Sequence, residues 1–322
     1  MKLGVMAAGL GGMQWEQALD YCQSLGLDAI ELPVGAYPGS PWFDPKEVLG
    51  SQSAQQRIQD DVKKRQMSII GLAVHGNPLH PDPAIAKDHL GAHDTAVRLA
   101  RKLGTNVVVN FSGCPGGSKK DTTPNWVTCA WPPDFEKILA YQWDDVLVPF
   151  WTKKNAEAKN EGVRVAFEAH PGFCVYNTET ILKLRKLAGN QLGANLDPSH
   201  FFWQGIDPIE SARELGQAKC LFHVHAKDTF VDPRNKAVNG TLDAKSYGDV
   251  AARSWVFRTC GYGHGDEFWK PFVCMLRTYG YDGVLSIEHE DSLMSVQEGF
   301  EKAVAYLKSV MVVQKAGAAW WF

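Results

Sequence analysis

Three consecutive segments, SIIGLAVHG (68–76), KDHLGAHDTAVRLARKLG (87–104) and NVVVNFSG (106–113), set the pattern of the whole chain. The two outer segments are short, apolar and rich in Val and Ile, which is typical of buried strands. In the middle segment apolar residues return every three or four positions, which predicts an amphipathic helix. This order predicts two parallel strands joined by a helix that covers one face of the sheet.

The same alternation of short apolar runs and longer helical stretches extends along the chain. Two further helices are predicted at WEQALDYCQSLGL (15–27) and DEFWKPFVCMLRTYG (266–280). Besides the two runs quoted above, the predicted strands are LGVMAAG (3–9), AIELPV (29–34), VRVAFEAH (163–170), LGANLDPSH (192–200), CLFHVHAKD (220–228) and GVLSIEHED (283–291).

Eight strand–helix units in one chain predict an α/β fold of the (β/α)8 TIM barrel type, with residues 1–322 as a single domain. The alternative is an open, doubly wound sheet. That fold usually carries G-x-G-x-x-G after its first strand, whereas AAGLGGMQ has glycines at 9, 11 and 12 only. The closed barrel is therefore favoured.

Composition excludes several classes of protein. The chain has 322 residues with 33 basic and 36 acidic side chains, and its net charge of −3 argues against nucleic acid or an anionic membrane as a partner held by bulk charge. No apolar run approaches the ~20 residues that span a bilayer, and MKLGVMAAGLGG lacks the features of a secretory signal. We therefore expect a cytoplasmic protein.

The seven cysteines of the chain never form a C-x-x-C pair, which predicts reduced thiols. Cys114, in the turn FSGCPGG, is the alternative candidate for a catalytic thiol.

Two long excursions interrupt the even spacing of the units. Residues 114–143 follow the fourth predicted strand and precede a predicted helix at 144–161, and residues 229–265 follow the seventh strand. Barrel enzymes build their active sites at the carboxyl ends of the strands, and loops of this length are usually functional. We predict that both excursions are active-site loops and form walls of a substrate pocket.

The carboxyl ends of the last four predicted strands carry many polar side chains. A buried, ionised carboxylate costs several kcal/mol or more unless it is paired or bound to a metal. The polar residues at these ends are Glu168 and His170, Asp197 and His200, His223 and His225, and Glu288, His289 and Glu290.

From this set we predict one divalent-cation site. Three carboxylates around one point repel each other unless a cation balances them, and three carboxylates with one imidazole suit Mn²⁺ first, with Mg²⁺ or Co²⁺ as alternatives. His223 shares a strand face with His225 and is the alternative imidazole ligand, whereas His289, offset by one from Glu288, is expected to point into the helix layer. The predicted ligands are Glu168, Asp197, His225 and Glu288.

The motifs FEAHPG, LDPSH, HVHAKD and SIEHED, in this order, resemble the xylose-isomerase-like barrel superfamily of sugar isomerases and epimerases, inosose dehydratases and endonuclease IV. The resemblance implies the same four metal ligands, with Glu168 and Glu288 as an acid–base pair on opposite faces of the substrate. It also implies that His200 touches a substrate oxygen and that His75 lines the pocket. Endonuclease IV binds its metal ions with additional histidines, one of them near the fourth strand. Here the fourth strand ends at Asn110 and carries no histidine, so a DNA-repair function is disfavoured.

The predicted activity belongs to carbohydrate metabolism. A cation that polarises a carbonyl stabilises the enediolate formed when the adjacent C–H loses its proton. We therefore expect a manganese-dependent isomerase or epimerase that moves a proton next to the carbonyl of a small keto-sugar or polyol. The alternative is a lyase, hydratase or C-glycoside deglycosidase acting on a 3-keto-sugar or 3-oxo-glycoside. A sugar-binding protein with a structural cation is a third interpretation.

Further side chains in and near the excursions are candidates for substrate contact. Lys227, Arg258 and His264 are predicted to donate hydrogen bonds to sugar hydroxyls. The apolar C-terminal segment AGAAWWF (316–322) is expected to dock on the barrel or on a neighbouring subunit, which predicts a homo-oligomer. A deglycosidase would need a small partner subunit as well. The tryptophans expected to stack on a sugar ring, or else to be buried in packing, are Trp131, Trp143, Trp203 and Trp255.

Overall fold

A computed structural model describes residues 1–315, 317 and 321. The strands are β1 (Lys2–Met6), β2 (Ala29–Pro33), β3 (Ser68–Ala73), β4 (Val107–Asn110), β5 (Arg164–Glu168), β6 (Leu192–Leu196), β7 (Leu221–Ala226), β8 (Asp228–Val231), β9 (Trp255–Arg258) and β10 (Val284–Ile287). Strands β1 to β7 and β10 are parallel and form a closed barrel in which β10 pairs with both β7 and β1. The predicted (β/α)8 barrel is confirmed.

The helices surround the barrel. They are α1 (Trp15–Ser24), α2 (Pro45–Gly50), α3 (Gln52–Lys64), α4 (Pro83–Ala100), α5 (Asp134–Ala140), α6 (Val148–Asn160), α7 (Thr178–Ala188), α8 (Pro198–Phe202), α9 (Pro208–Gln217), α10 (Pro233–Asn239), α11 (Asp266–Thr278) and α12 (Val296–Val310). Helices α1, α4 and α11 lie where the periodicity predicts them, within a few residues at each end.

An Asp-Pro pair begins α2, α4, α8, α9 and α10. The Asp side chain accepts a hydrogen bond from a backbone N–H of the first turn, and Pro supplies a backbone angle that suits the first helical position, where its missing N–H costs nothing. Asp197 is the cap of α8, so a residue of the predicted metal site also fixes the start of a helix.

The two excursions contain more regular structure than the sequence predicts. The helix expected at 144–161 begins earlier, because α5 continues through a π-helix (Tyr141–Leu147) into α6. In the second excursion β8 and β9 pair as an antiparallel ribbon, with α10 between them. This ribbon buries Trp255 and Phe257 against Trp203, away from the main core, which gives the excursion a small apolar cluster of its own.

The main core lies between the barrel and its helices, and the inside of the barrel is polar at several positions. Glu31, Asn195, His223 and Ser286 are all buried on barrel strands. No helix among the described residues is long and apolar enough to cross a membrane. The predicted docking of residues 316–322 falls outside the described part of the chain, apart from 317 and 321.

Candidate metal centre and active site

Four side chains from neighbouring barrel strands meet at the carboxyl end of the barrel. Glu168 ends β5, Asp197 follows β6, His225 lies near the end of β7, and Glu288 follows β10. One ligand atom of each lies within 4.8 Å of the others. His225 Nδ1 is 2.9 Å from Oε2 of Glu168 and 3.4 Å from Oε2 of Glu288. The four residues singled out in the sequence are thus brought together.

Two atoms of this cluster suit a divalent cation in particular. Asp197 accepts the Ser199 N–H at 2.8 Å through Oδ1, as the cap of α8, and its buried Oδ2 is directed into the cluster, 3.1 Å from Lys227 Nζ. The Nδ1 atom of His225 is also buried and faces the carboxylates of Glu168 and Glu288. Three carboxylates and one imidazole that converge in a buried position form a donor set that fits a bound divalent cation.

Glu31 fixes His225 from inside the barrel. Its Oε2 lies 3.0 Å from His225 Nε2, 2.8 Å from His223 Nε2 and 2.8 Å from the Ser286 hydroxyl that donates to it. Burial would raise the pKa of Glu31, but the two imidazoles hold it well below its ordinary value. The Nε2–H of His225 therefore donates to an anion, and Nδ1 is the nitrogen that faces the cluster.

Glu31 is not among the site residues predicted from the sequence. The available signal was a lone carboxylate in the apolar run AIELPV, since such a group needs a buried partner. His223, the alternative imidazole ligand, contacts Glu31 and lies outside the four-residue cluster. Glu31, His223 and His225 also form a set of their own with the residue types of a metal site. Their contacts, however, are ordinary charged hydrogen bonds.

Glu168 is held by three further groups. Its Oε2 is 3.1 Å from His75 Nε2 and accepts the Asn195 amide at 3.0 Å, and its Oε1 is 3.1 Å from His200 Nε2. Burial opposes ionisation, yet His75, and hydrogen bonds from His200 and His225, hold the pKa of Glu168 well below its usual range. Glu168 is therefore an ionised carboxylate whose orientation is fixed by these hydrogen bonds.

Lys227 brings a positive charge to the same carboxylates. Its Nζ is 2.6 Å from Glu288 Oε2, 3.0 Å from Glu290 Oε2 and 3.1 Å from Asp197 Oδ2. Burial would lower the pKa of Lys227, but Asp197 and Glu288 raise it well above its ordinary value. The same ion pair, working against burial, lowers the pKa of Glu288 to about 2. Both groups are therefore charged at neutral pH.

A cavity of about 330 Å³ opens above the cluster. Glu168 and Glu288 line it, together with His75, His200 and Lys227, three of the residues predicted to contact substrate. Its aromatic side comes from Tyr37 and Phe111. This volume is at the lower end of the range for small-molecule sites, which suits a ligand of one ring.

His170 also lines this cavity. Its Nδ1 lies 2.5 Å from the Pro171 carbonyl, which as an acceptor assigns the ring proton to Nδ1. Burial, and then the neighbouring His200, lower the pKa of His170 to about 3. A neutral ring with its proton on Nδ1 keeps a lone pair on Nε2 that can accept a hydrogen bond.

Two of the predicted substrate contacts are engaged elsewhere. Arg258 pairs with Asp291 at 3.0 Å. His264 pairs with Asp228 at 2.8 Å, and its ring stacks on Phe202 with centroids 3.7 Å apart. Neither Arg258 nor His264 is among the residues that line the cavity.

The predicted tryptophans also lie away from the cavity wall. Trp203 and Trp255 stack on each other at 4.5 Å, and Trp143 is buried beneath the Lys183 ammonium. Trp131 is 76% exposed. Cys114 is buried, with its thiol directed at the Pro115 carbonyl.

A family model described as xylose isomerase-like TIM barrel matches residues 19–310. The chain belongs to this family. The uncharacterized protein YfiH of Bacillus subtilis (strain 168) is 38% identical over 315 residues, which cover 97% of this chain and 99% of YfiH. An inosose dehydratase of Clostridium perfringens (strain 13 / Type A) is 30% identical over 159 residues, 48% of this chain and 51% of that enzyme.

Solved structures agree on the fold. The probable 3-DHS dehydratase AsbF from Bacillus anthracis superimposes with a TM-score of 0.64 at 14% identity, over 96% of this chain and 99% of AsbF. The IOLI protein with bound zinc gives 0.63 at 20% identity, over 96% of each chain. D-psicose 3-epimerase with D-fructose gives 0.62 at 14% identity, over 97% and 99%. At these identities the likeness supports the barrel fold.

Proposed function

We propose that this protein is a divalent-cation-dependent enzyme that moves a proton next to the carbonyl of a keto-sugar or related polyol, as an isomerase or epimerase. The observation that carries the proposal is the convergence of Glu168, Asp197, His225 and Glu288 within 4.8 Å below a cavity that both glutamates line. Mn²⁺ is the proposed ion, since three carboxylates and one imidazole form a mostly hard ligand set.

Each residue has a definable role. A cation held by this cluster would polarise the substrate carbonyl and stabilise the negative charge that develops on its oxygen. Glu168 and Glu288 each have a second carboxylate oxygen, so one can take a proton from the substrate carbon and the other can return one. His75 and His200 fix Glu168 through hydrogen bonds to its two oxygens, which keeps its orientation constant.

A dehydratase is the second candidate, and two observations favour it. The matched half of an inosose dehydratase is 30% identical to this chain. In addition, Lys227 and His170 line the cavity beside the glutamates. The ammonium of Lys227 can donate a proton to a leaving hydroxyl, a glutamate can take the proton from carbon, and the neutral ring of His170 can accept a hydrogen bond from the substrate. Elimination and epimerisation share their first step and differ in the fate of the enediolate.

Incubation of the Mn²⁺-loaded protein with keto-sugars and inososes in deuterated water separates these candidates. We expect deuterium at the carbon beside the carbonyl, without loss of a group. Loss of water with formation of an unsaturated ketone would assign the protein to the dehydratases. Glu168→Gln and Glu288→Gln should each lower the exchange rate about 100-fold or more, whereas Glu298→Gln, at an exposed position of α12, should not change it. Wild-type exchange that needs no divalent cation would contradict both proposals.

A further inference from the structure

Lys227 and a divalent cation would compete for the same oxygens. The Lys227 ammonium lies 3.1 Å from Asp197 Oδ2 and 2.6 Å from Glu288 Oε2, and both residues belong to the four-residue cluster. Two cations against the same carboxylates repel each other strongly in a buried site. A cation can bind there only if the ammonium gives up at least part of these contacts.

Glu290 is placed to remain paired with the Lys227 ammonium when the contacts to Asp197 and Glu288 are lost. Its Oε2 is 3.0 Å from Lys227 Nζ, and it belongs to none of the metal-ligand sets found among the described residues. The Glu290 side chain is 49% exposed, whereas that of Lys227 is 2% exposed. Glu290 therefore lies on the solvent side of the ammonium and Asp197 on the buried side.

The ring of Phe257 supports the same position. It lies 4.7 Å from Lys227 Nζ, within the range in which a cation is attracted to an aromatic face. Glu290 and Phe257 together offer the ammonium an anion and a ring that a metal ion would not use. Without Glu290 and Phe257, the Lys227 ammonium would stay paired with the metal ligands, because a buried charge without a partner is costly.

We propose that Glu290 is a positioning residue that holds the Lys227 ammonium beside a bound divalent cation and off its ligands, so that cation affinity depends on the Lys227–Glu290 pair. The inference rests on the cation site of the proposed function and not on the identity of the substrate. It assigns Glu290 a role through Lys227, with no direct contact to the ion.

The test is a double-mutant cycle with Mn²⁺ as the probe. Isothermal titration of the chelator-treated full chain gives the Kd for the wild type, Glu290→Gln, Lys227→Met and the double variant. Glu136→Gln, which removes one carboxylate from an exposed position on α5, is the matched control for loss of charge. Substrate turnover is not needed for any of these measurements.

Glu290→Gln should weaken Mn²⁺ binding about tenfold and Lys227→Met should strengthen it about tenfold, since contacting charged pairs couple on this scale. In the Lys227→Met background, Glu290→Gln should change the Kd by about twofold or less, because an exposed carboxylate attracts the ion only weakly through solvent. An equal loss in both backgrounds would show that Glu290 acts by its own charge and would overturn the inference.

Three further outcomes decide the remaining cases. Lys227→Gln serves in the cycle if Lys227→Met does not fold, and an unchanged Kd in Glu290→Gln overturns the inference whatever the Lys227 variants do. If the wild type binds no Mn²⁺, the proposed function fails and this inference with it. If the wild type binds Mn²⁺ but the cycle shows no coupling, the inference alone fails.

Discussion

Glu31 Oε2 lies 3.0 Å from Nε2 of His225, on the opposite side of the imidazole from the carboxylate cluster. The Nε2 atom of the ring therefore faces the barrel interior, and the Nδ1 atom faces the proposed metal site. The two residues are 194 positions apart in the chain and meet only because the barrel closes. Glu31 thus decides which nitrogen of His225 is available as a ligand.

Replacing Glu31 tests this relationship. In Glu31→Gln the Nε2–H of His225 loses its anionic acceptor, so the ring is less firmly oriented and less basic. We expect Mn²⁺ affinity to fall about 10- to 100-fold, the usual effect of removing such a partner. Titration calorimetry measures it. Ser286→Ala, which removes one donor to Glu31 and leaves the carboxylate charged, should change the affinity much less, and an equal effect of both variants would contradict the assigned role.

Removal of the metal should lower the stability of the fold. A cation at about 100 times its Kd stabilises the native state by about 2.7 kcal/mol, so Mn²⁺ should raise Tm and a chelator should reverse the rise. Asp197→Asn keeps a good helix cap but loses the charge that faces the cluster, and it should abolish most of the Mn²⁺-dependent rise. Asp207→Asn, the same change at the Asp-Pro cap of α9, should leave that rise intact. Retention of the rise in Asp197→Asn would remove this residue from the ligand set.

The pH dependence of stability should contain a contribution from His93. Burial, and then Lys154, lower the pKa of His93 to about 3. In the unfolded chain the pKa is near ~6.5, so below that pH the unfolded state binds a proton that the folded state refuses. The contribution of His93 to the free energy of unfolding is fully present above about pH 6.5. It decreases as the pH falls, and about 2 kcal/mol is lost at about pH 5.

Urea unfolding at about pH 7 and about pH 5 measures this loss in the wild type and in His93→Gln. The variant should be less stable at neutral pH, because the histidine accepts a hydrogen bond from Asn110 at 3.2 Å. Its further loss on acidification should be smaller than that of the wild type. Equal losses in the two proteins would mean that His93 is charged in the folded state or exposed to solvent.

Two helical glycines should respond oppositely to Ala. A Cβ at Gly299, in α12, would collide with the ring of His289, whereas a Cβ at Gly91, in α4, would meet nothing within 4 Å. Gly91→Ala should stabilise the protein by about 0.5–1 kcal/mol, because Ala favours the helix. Gly299→Ala should destabilise it by about 1–3 kcal/mol through overpacking. Thermal or urea unfolding gives both values, and a stabilising Gly299→Ala would show that His289 moves freely.

The placement of His289 follows from local geometry. Its offset of one residue from Glu288 predicts a side chain in the helix layer, and the ring lies against Gly299 and 5.7 Å from Phe300. The same two-residue alternation places Glu168 and His225 at the barrel mouth. Such positions can be predicted from sequence because a strand fixes the direction of each side chain within a few residues.

The excursions could not be predicted in the same way. Arg258 and His264 look from the sequence like donors for a substrate, but Asp291 and Asp228 hold them. Asp291 lies 33 residues from Arg258, and Asp228 lies 36 residues from His264. No local sequence pattern therefore predicts either pair. The stacking of Trp203 on Trp255 likewise depends on β8 and β9 folding back over α8.

The sequence alone determined the eight-stranded barrel and the four side chains at its mouth, because hydrophobic periodicity and strand alternation act over a few residues. Tertiary structure decided which nitrogen of His225 faces the cluster, which carboxylates share Lys227, and which candidate donors reach the cavity. These contacts join residues from different strands, and their pairing depends on barrel closure and strand register, which no short stretch of chain specifies.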